Sequence, residues 1–98
     1  MKQLFAVTRT RGVRWNYSRP LEEQENWQIH AAFMDALHED GFVLLGGPLG
    51  GTPDVLLIVR ANNAEEIKSR LSDDCWSRNG LLRTTQVAPW RLRLGSLG

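Results

Sequence analysis

The first apolar run of the chain is short. In "KQLFAVTR" the residues Leu4 to Val7 are bounded by charge on both sides and then by Gly12, which predicts a strand. The next stretch, "TRGVRWNYSRP", has no hydrophobic period and reads as a loop. Pro20 is suited to the first position of a helix, where its missing N–H costs nothing, and Glu22, Glu23 and Glu25 favour a helix N-terminus. From Trp27 the apolar positions fall at 27, 31, 34 and 37, with 30, 33 and 38 filling the gaps. These helical steps end at Gly41, which suits a left-handed C-terminal residue.

"FVLLGGP" and "DVLLIVR" predict two further strands, joined through a turn rich in glycine and proline. "ANNAEEIKSRLSDD" predicts a second helix. Asn62 or Asn63 is its cap, Glu65 or Glu66 closes a capping box, and Ile67 and Leu71 form its apolar stripe. "SDDCWSRNG" breaks that helix. "LLRTTQVAPWRLRL" predicts a last strand, with Pro89 marking an edge or a bend.

The order β-α-β-β-α-β is the ferredoxin-like split pattern, an α+β fold with two helices on one face of a four-stranded antiparallel sheet. Strands two and three lack polar alternation, which predicts burial on both faces. The helices cover one face, and the sheet of a second subunit is the expected cover for the other.

Composition bounds the function. A chain of 98 residues makes one domain, residues 1–98, with a thin core, so a homodimer or larger homo-oligomer is expected. Twelve Lys plus Arg against eleven Asp plus Glu leave a net charge of +1, which argues against a dedicated nucleic-acid binder. A single cysteine, Cys75, rules out an intramolecular disulfide and a Cys-rich metal site. No apolar run has the length of a signal peptide or a membrane helix, so the cytoplasm is the expected compartment and no membrane partner is expected.

Four features carry candidate chemistry. His30 lies on the apolar side of the first helix and is either a satisfied core histidine or a general acid or base. His38 follows eight residues later, roughly 12 Å along a helix rising about 1.5 Å per residue, too far to share a metal ion. It reads as a surface residue or a complement to the helix dipole, and no metal site is expected. "SDDCW" places Asp73 and Asp74 where they oppose the dipole of the second helix, and a carboxylate there is suited to orienting an imidazole. In "LLGGPLGG", glycine serves the turn and also permits close backbone approach to a ligand, although a nucleotide-binding signature is missing. The arginines at 9, 11, 14 and 19, near Trp15 and Tyr17, suit a solvated loop, a carboxylate substrate or single-stranded nucleic acid.

Together, "LFAVTR", His30, "GFVLLGGPL", "DDCW…GLL" and "VAPW" resemble the YCII-related family of the dimeric α+β barrel superfamily, over nearly the whole chain. The resemblance implies a ferredoxin-like subunit that dimerises through its sheet and carries a His–Asp pair in a pocket. On this sequence the pair maps to His30 and Asp74, and the Gly-Pro after strand two maps to Gly47 and Pro48. Cys75 stands where the family usually has proline. That leaves the aim of Asp74 less fixed and keeps Asp73 as an alternative. Relatives include a dehydrochlorinase acting on a chlorinated hydroxyquinol, and neighbouring families include muconolactone isomerases.

The expected function is that of a cofactor-independent lyase or isomerase acting on a small carbonyl or ring substrate. His30 would move the proton and Asp74 would hold the imidazole. Arg9, Arg19, Gly46, Gly47, Pro48 and Trp76 are the expected substrate-binding residues. The alternative is a non-catalytic module that binds a small metabolite in the same pocket.

Overall fold

The computed structural model describes residues 1–97. Four strands, β1 (Gln3–Arg11), β2 (Val43–Pro48), β3 (Asp54–Ala61) and β4 (Leu82–Pro89), form one antiparallel sheet in the order β2-β3-β1-β4. Helix α1 (Trp27–Glu39) connects β1 to β2. Helix α2 (Ala64–Leu71) and a short helix α3 (Cys75–Arg78) connect β3 to β4. This is the ferredoxin-like α+β fold that the hydrophobic pattern predicts.

The two-residue period of the strands sorts the sheet into two faces. On β1 the row Phe5, Val7, Arg9 stands opposite Val59, Leu57 and Val55 of β3. Phe5, Val7, Leu57 and Val59 pack with Leu37 of α1 and with Ile67 and Leu71 of α2 to make the main core. The row ends in a charged residue at a core position, and the site is built there. The opposite face presents Leu4, Ala6 and Thr8 opposite Arg60, Ile58 and Leu56. A second, smaller cluster of Trp15, Trp76, Leu81 and Leu82 lies at the end of β1.

The local chemistry explains most boundaries. Gly41 takes φ +80° after α1, the left-handed conformation that glycine adopts without strain. Asn63 caps α2 by accepting from the Glu66 N–H at 2.9 Å, while a Glu66 carboxylate oxygen accepts from the Asn62 N–H at 2.8 Å. This is the reciprocal pattern of a capping box.

The structure departs from the sequence reading at three places. First, α1 does not start at Pro20. Residues Leu21–Glu23 form one 3-10 turn, Gln24 is extended, and Asn26 sits at φ 62° before α1 begins. The buried Gln24 explains the break. Its side-chain amide donates to the carbonyls of Asn16 (2.7 Å) and Arg19 (2.9 Å), and its carbonyl accepts from the Asn16 N–H (3.0 Å). It stitches the arginine loop and leaves a helical path. Asparagine tolerates the left-handed backbone that follows.

Second, regular pairing in β4 stops at Pro89 and does not continue to 94. Proline lacks the N–H that would extend the ladder, although the Trp90 N–H still donates to the Leu4 carbonyl at 2.9 Å. Third, "CWSR" is helical, and this changes the position of Asp74, as described next.

Candidate active site

Asp74 is wholly buried and is the N-cap of α3. Its Oδ1 accepts from the Trp76 N–H at 3.2 Å. A carboxylate at the end of α2 opposes that helix dipole, but the chain turns at once into α3, whose N-terminus favours the charge. The unfavourable placement inferred from sequence therefore disappears. Asp73 points elsewhere. It is exposed and pairs with Arg78 at 3.3 Å, so Asp74 alone meets the histidine.

His30 projects from the first turns of α1 with 7 % of its surface exposed. Its Nδ1 lies 2.8 Å from Asp74 Oδ2 and 3.0 Å from Oδ1. An ionised carboxylate only accepts hydrogen bonds, so Nδ1 carries the proton. In the neutral ring Nε2 is then the free base. The indole of Trp76 lies flat against the imidazole, with centroids 3.8 Å apart and planes 7° from parallel. Trp76 is itself fixed by its Nε1–H, which donates to the Glu25 carbonyl at 2.6 Å, and by an edge-on contact with Trp15.

Arg9 completes the cluster. Its Nη1 donates to Asp74 Oδ2 at 2.9 Å and its Nη2 to Ser77 Oγ at 2.7 Å. Ser77 in turn donates to the Leu71 carbonyl at 2.7 Å. Both charges of the Arg9–Asp74 pair are buried, with side chains 1 % and 0 % exposed, and the Arg9 Nε–H has no partner. Burial pushes the Asp74 carboxyl up. The hydrogen bond and charge of His30, followed by those of Arg9, outweigh it and hold the group below the ordinary aspartate range.

The cluster borders a cavity of about 520 Å³, a size suited to a small molecule. His30, Arg9 and Trp76 line it at one end. Trp15, Trp27, Leu21, Met34 and Leu57 give it an apolar body, and Gly46, Gly47 and Pro48 of β2 form part of its wall. Among the described residues no group of three or more His, Cys, Asp and Glu is placed to hold a metal ion.

The expected residues thus fall into different positions. His30, Asp74, Arg9 and Trp76 come together, and Gly46, Gly47 and Pro48 face the same cavity. Arg19 is exposed and does not line the cavity; its carbonyl only serves the Gln24 amide. Arg9 spends its guanidinium on Asp74 and Ser77, and Trp76 has no exposed surface and stacks on His30.

Among the polar lining residues, sequence reading does not place His38 or Asp35 at the site, and it names Arg11 only as one of four loop arginines. His38 donates its Nδ1–H to the Val43 carbonyl at 2.9 Å, which ties the end of α1 to β2. The available signal was its place on the same helix face as His30. Burial, followed by the Asp74 charge, pushes the Cys75 thiol up, which keeps it protonated and weakly nucleophilic.

No family model matches this sequence, and no curated protein matches it. Among solved structures, the chain is similar to the 5-chloro-2-hydroxyhydroquinone dehydrochlorinase (TftG) from Burkholderia phenoliruptrix AC1100, in complex with 2,5-dihydroxybenzoquinone. The TM-score is 0.62 at 23% identity, and the match covers 95% of this chain and 96% of that one. At this identity the similarity establishes a shared fold over the matched 95% of the chain.

Proposed function

We propose that this protein is a cofactor-independent enzyme of the lyase or isomerase type, acting on a small ring or carbonyl compound. The observation that carries the reading is the His30–Asp74 pair at the end of an apolar cavity, with Nδ1 occupied and Nε2 left as the base. His30 removes a proton from carbon beside a carbonyl or from an activated ring position. The electron pair moves into the carbonyl as an enolate. The enolate then either expels a leaving group or takes the proton back from the imidazolium at another carbon. Asp74 holds the imidazole and stabilises its cationic form. Arg9 fixes Asp74, and Trp76 fixes the plane of the ring.

The similarity to a dehydrochlorinase with a dihydroxybenzoquinone bound supports a planar, hydroxylated ring as the ligand class. It also supports membership of the YCII-related family, with residues 1–98 as one such unit, and pairing of two subunits through their sheets. The apolar residues Leu4, Ala6, Leu56 and Ile58, which stand with Thr8 and Arg60 on the face opposite the helices, are the surface for that pairing.

The test is a turnover screen over small hydroxylated rings, beginning with chloride release from 5-chloro-2-hydroxyhydroquinone. For any ring that is turned over, His30→Ala is expected to lower kcat/KM by about 10²–10⁴-fold. Full kcat/KM in that variant would remove the mechanism. Ligand binding without turnover of any ring would favour the non-catalytic binding module.

A further inference from the structure

Next to the cavity lies a second, more open groove, formed by the arginine loop and the β2–β3 turn. It is lined by Arg11, Tyr17, Leu49, Gly51 and Thr52, among others. Arg11 and Pro48 line both spaces, so the groove continues the cavity outward.

Arg11 is held in place at this junction. Its backbone N–H donates to the Pro53 carbonyl at 2.9 Å, and on the other side it pairs with Leu82 of β4. Its guanidinium carbon lies 4.5 Å from the centre of the Trp15 ring and 5.8 Å from that of Tyr17. Stacking of this kind orients a guanidinium by its faces and leaves its edge N–H groups available. Arg14, Arg70 and Arg78 have carboxylate partners, and Arg9 has Asp74; Arg11 has none among the described residues. Asp35 lines the cavity but not the groove, and Arg11 is the groove's one charged residue among those described. The groove end of the combined space is therefore the positive end.

We propose that Arg11 is the specificity residue of this site and that it selects ring ligands bearing an anionic group, a carboxylate or an equivalent oxyanion, on the side remote from His30. This rests on the reading of the cavity as a ring-binding site. The ring lies in the apolar body of the cavity, beside the His30–Trp76 stack. The anion lies where cavity meets groove and accepts two parallel N–H bonds from the guanidinium edge, a geometry that lysine does not reproduce.

Two isosteric probes test it: gentisate, with a carboxylate, and gentisamide, with a neutral amide in its place. Binding is read by calorimetry and by quenching of tryptophan fluorescence. The wild-type protein is expected to bind gentisate at least about tenfold more tightly, as a charge-assisted pair would give. Arg11→Gln is expected to abolish that preference, with Arg11→Lys restoring only part of it. Equal affinity of the wild type for the two probes overturns the role of Arg11 and leaves the ring site standing, and this comparison does not depend on any variant folding. A preference that survives in Arg11→Gln overturns it as well. Failure of both probes to bind overturns the ring site together with the proposal.

Discussion

His30 and Asp74 are 44 positions apart in the chain, yet the imidazole Nδ1 sits between both oxygens of the carboxylate, at 2.8 and 3.0 Å. The same carboxylate also accepts from Arg9 and from the Trp76 N–H. One buried anion therefore fixes a histidine, an arginine and a helix start. Replacing it with Asn keeps the volume but supplies an amide N–H₂ and no charge. Asp74→Asn is expected to lower kcat on any ring substrate by about 10²–10⁴-fold with a much smaller change in KM. Steady-state kinetics on wild type and variant decide it, and an unchanged kcat would remove Asp74 from the mechanism.

The same anion makes stability depend on acid. The folded-state pKa of Asp74 is lowered: His30 and Arg9 favour its charged form by more than burial disfavours it. In the unfolded chain it titrates near the ordinary value of about 3.9. Its contribution is thus complete above that value and is lost as pH falls through the lower folded-state pKa. Denaturant titrations of the wild type between about pH 6 and pH 2 should show a loss below pH 4 that is shallower in Asp74→Asn. Parallel acid limbs would contradict the assignment.

Arg9 gives a second stability prediction. Removing one partner of a buried ion pair leaves the other charge uncompensated, typically a loss of about 3–5 kcal/mol. Arg9→Met keeps the apolar stem beside Val7 and Val55 but strands Asp74. Urea unfolding of Arg9→Met is expected to show a loss in this range, and a loss below about 1 kcal/mol would mean that His30 and the α3 backbone suffice to hold the carboxylate.

The β-strand pattern and the helix from Trp27 were legible because long apolar runs carry a period. His30 was legible as a residue on the buried face, and Asp74 as its partner through family resemblance. Three things were not. Helix α3 is only four residues long and has no period to read, so Asp74 looked like a C-terminal carboxylate and not a cap. The burial of Gln24 depends on loop carbonyls brought close only by folding. The cluster of arginines suggests a substrate contact for Arg9, although the alternation Phe5, Val7, Arg9 puts it on the core face, where an arginine needs an internal anion. Arg11, the next residue but one, stacks on Trp15 and has no carboxylate partner among the described residues.

Trp76 separates a ring-positioning role from plain packing. Trp76→Phe keeps an aromatic face toward His30 but loses the Nε1–H bond to the Glu25 carbonyl, a cost of about 1 kcal/mol. Trp76→Leu loses the stacked face as well and costs more, up to about 3–5 kcal/mol for the largest truncations of this kind. The discriminating measurement is the split between kcat and KM on any ring that is turned over. A positioning role predicts that Trp76→Leu lowers kcat well below that of Trp76→Phe with little change in KM. Equal kcat in both variants would reduce Trp76 to a core residue.

The last prediction concerns the sheet face that the helices leave open. Ala6 stands opposite Ile58 there, flanked by the pairs Leu4–Arg60 and Thr8–Leu56, and Leu45 of neighbouring β2, on the other side of Ile58, is 55% exposed. We expect a second copy to cover this apolar centre, because an exposed apolar patch on a small chain commonly serves association. A homodimer formed through this face buries the centre in both copies by symmetry, because the same patch meets itself. Leu56→Lys places one charge from each copy near the centre of that contact. Sedimentation velocity should then give a dimer for the wild type and a monomer for Leu56→Lys, with helix content unchanged by circular dichroism. A monomeric wild type at micromolar concentration would exclude the pairing, and a dimeric Leu56→Lys would move the interface to another face.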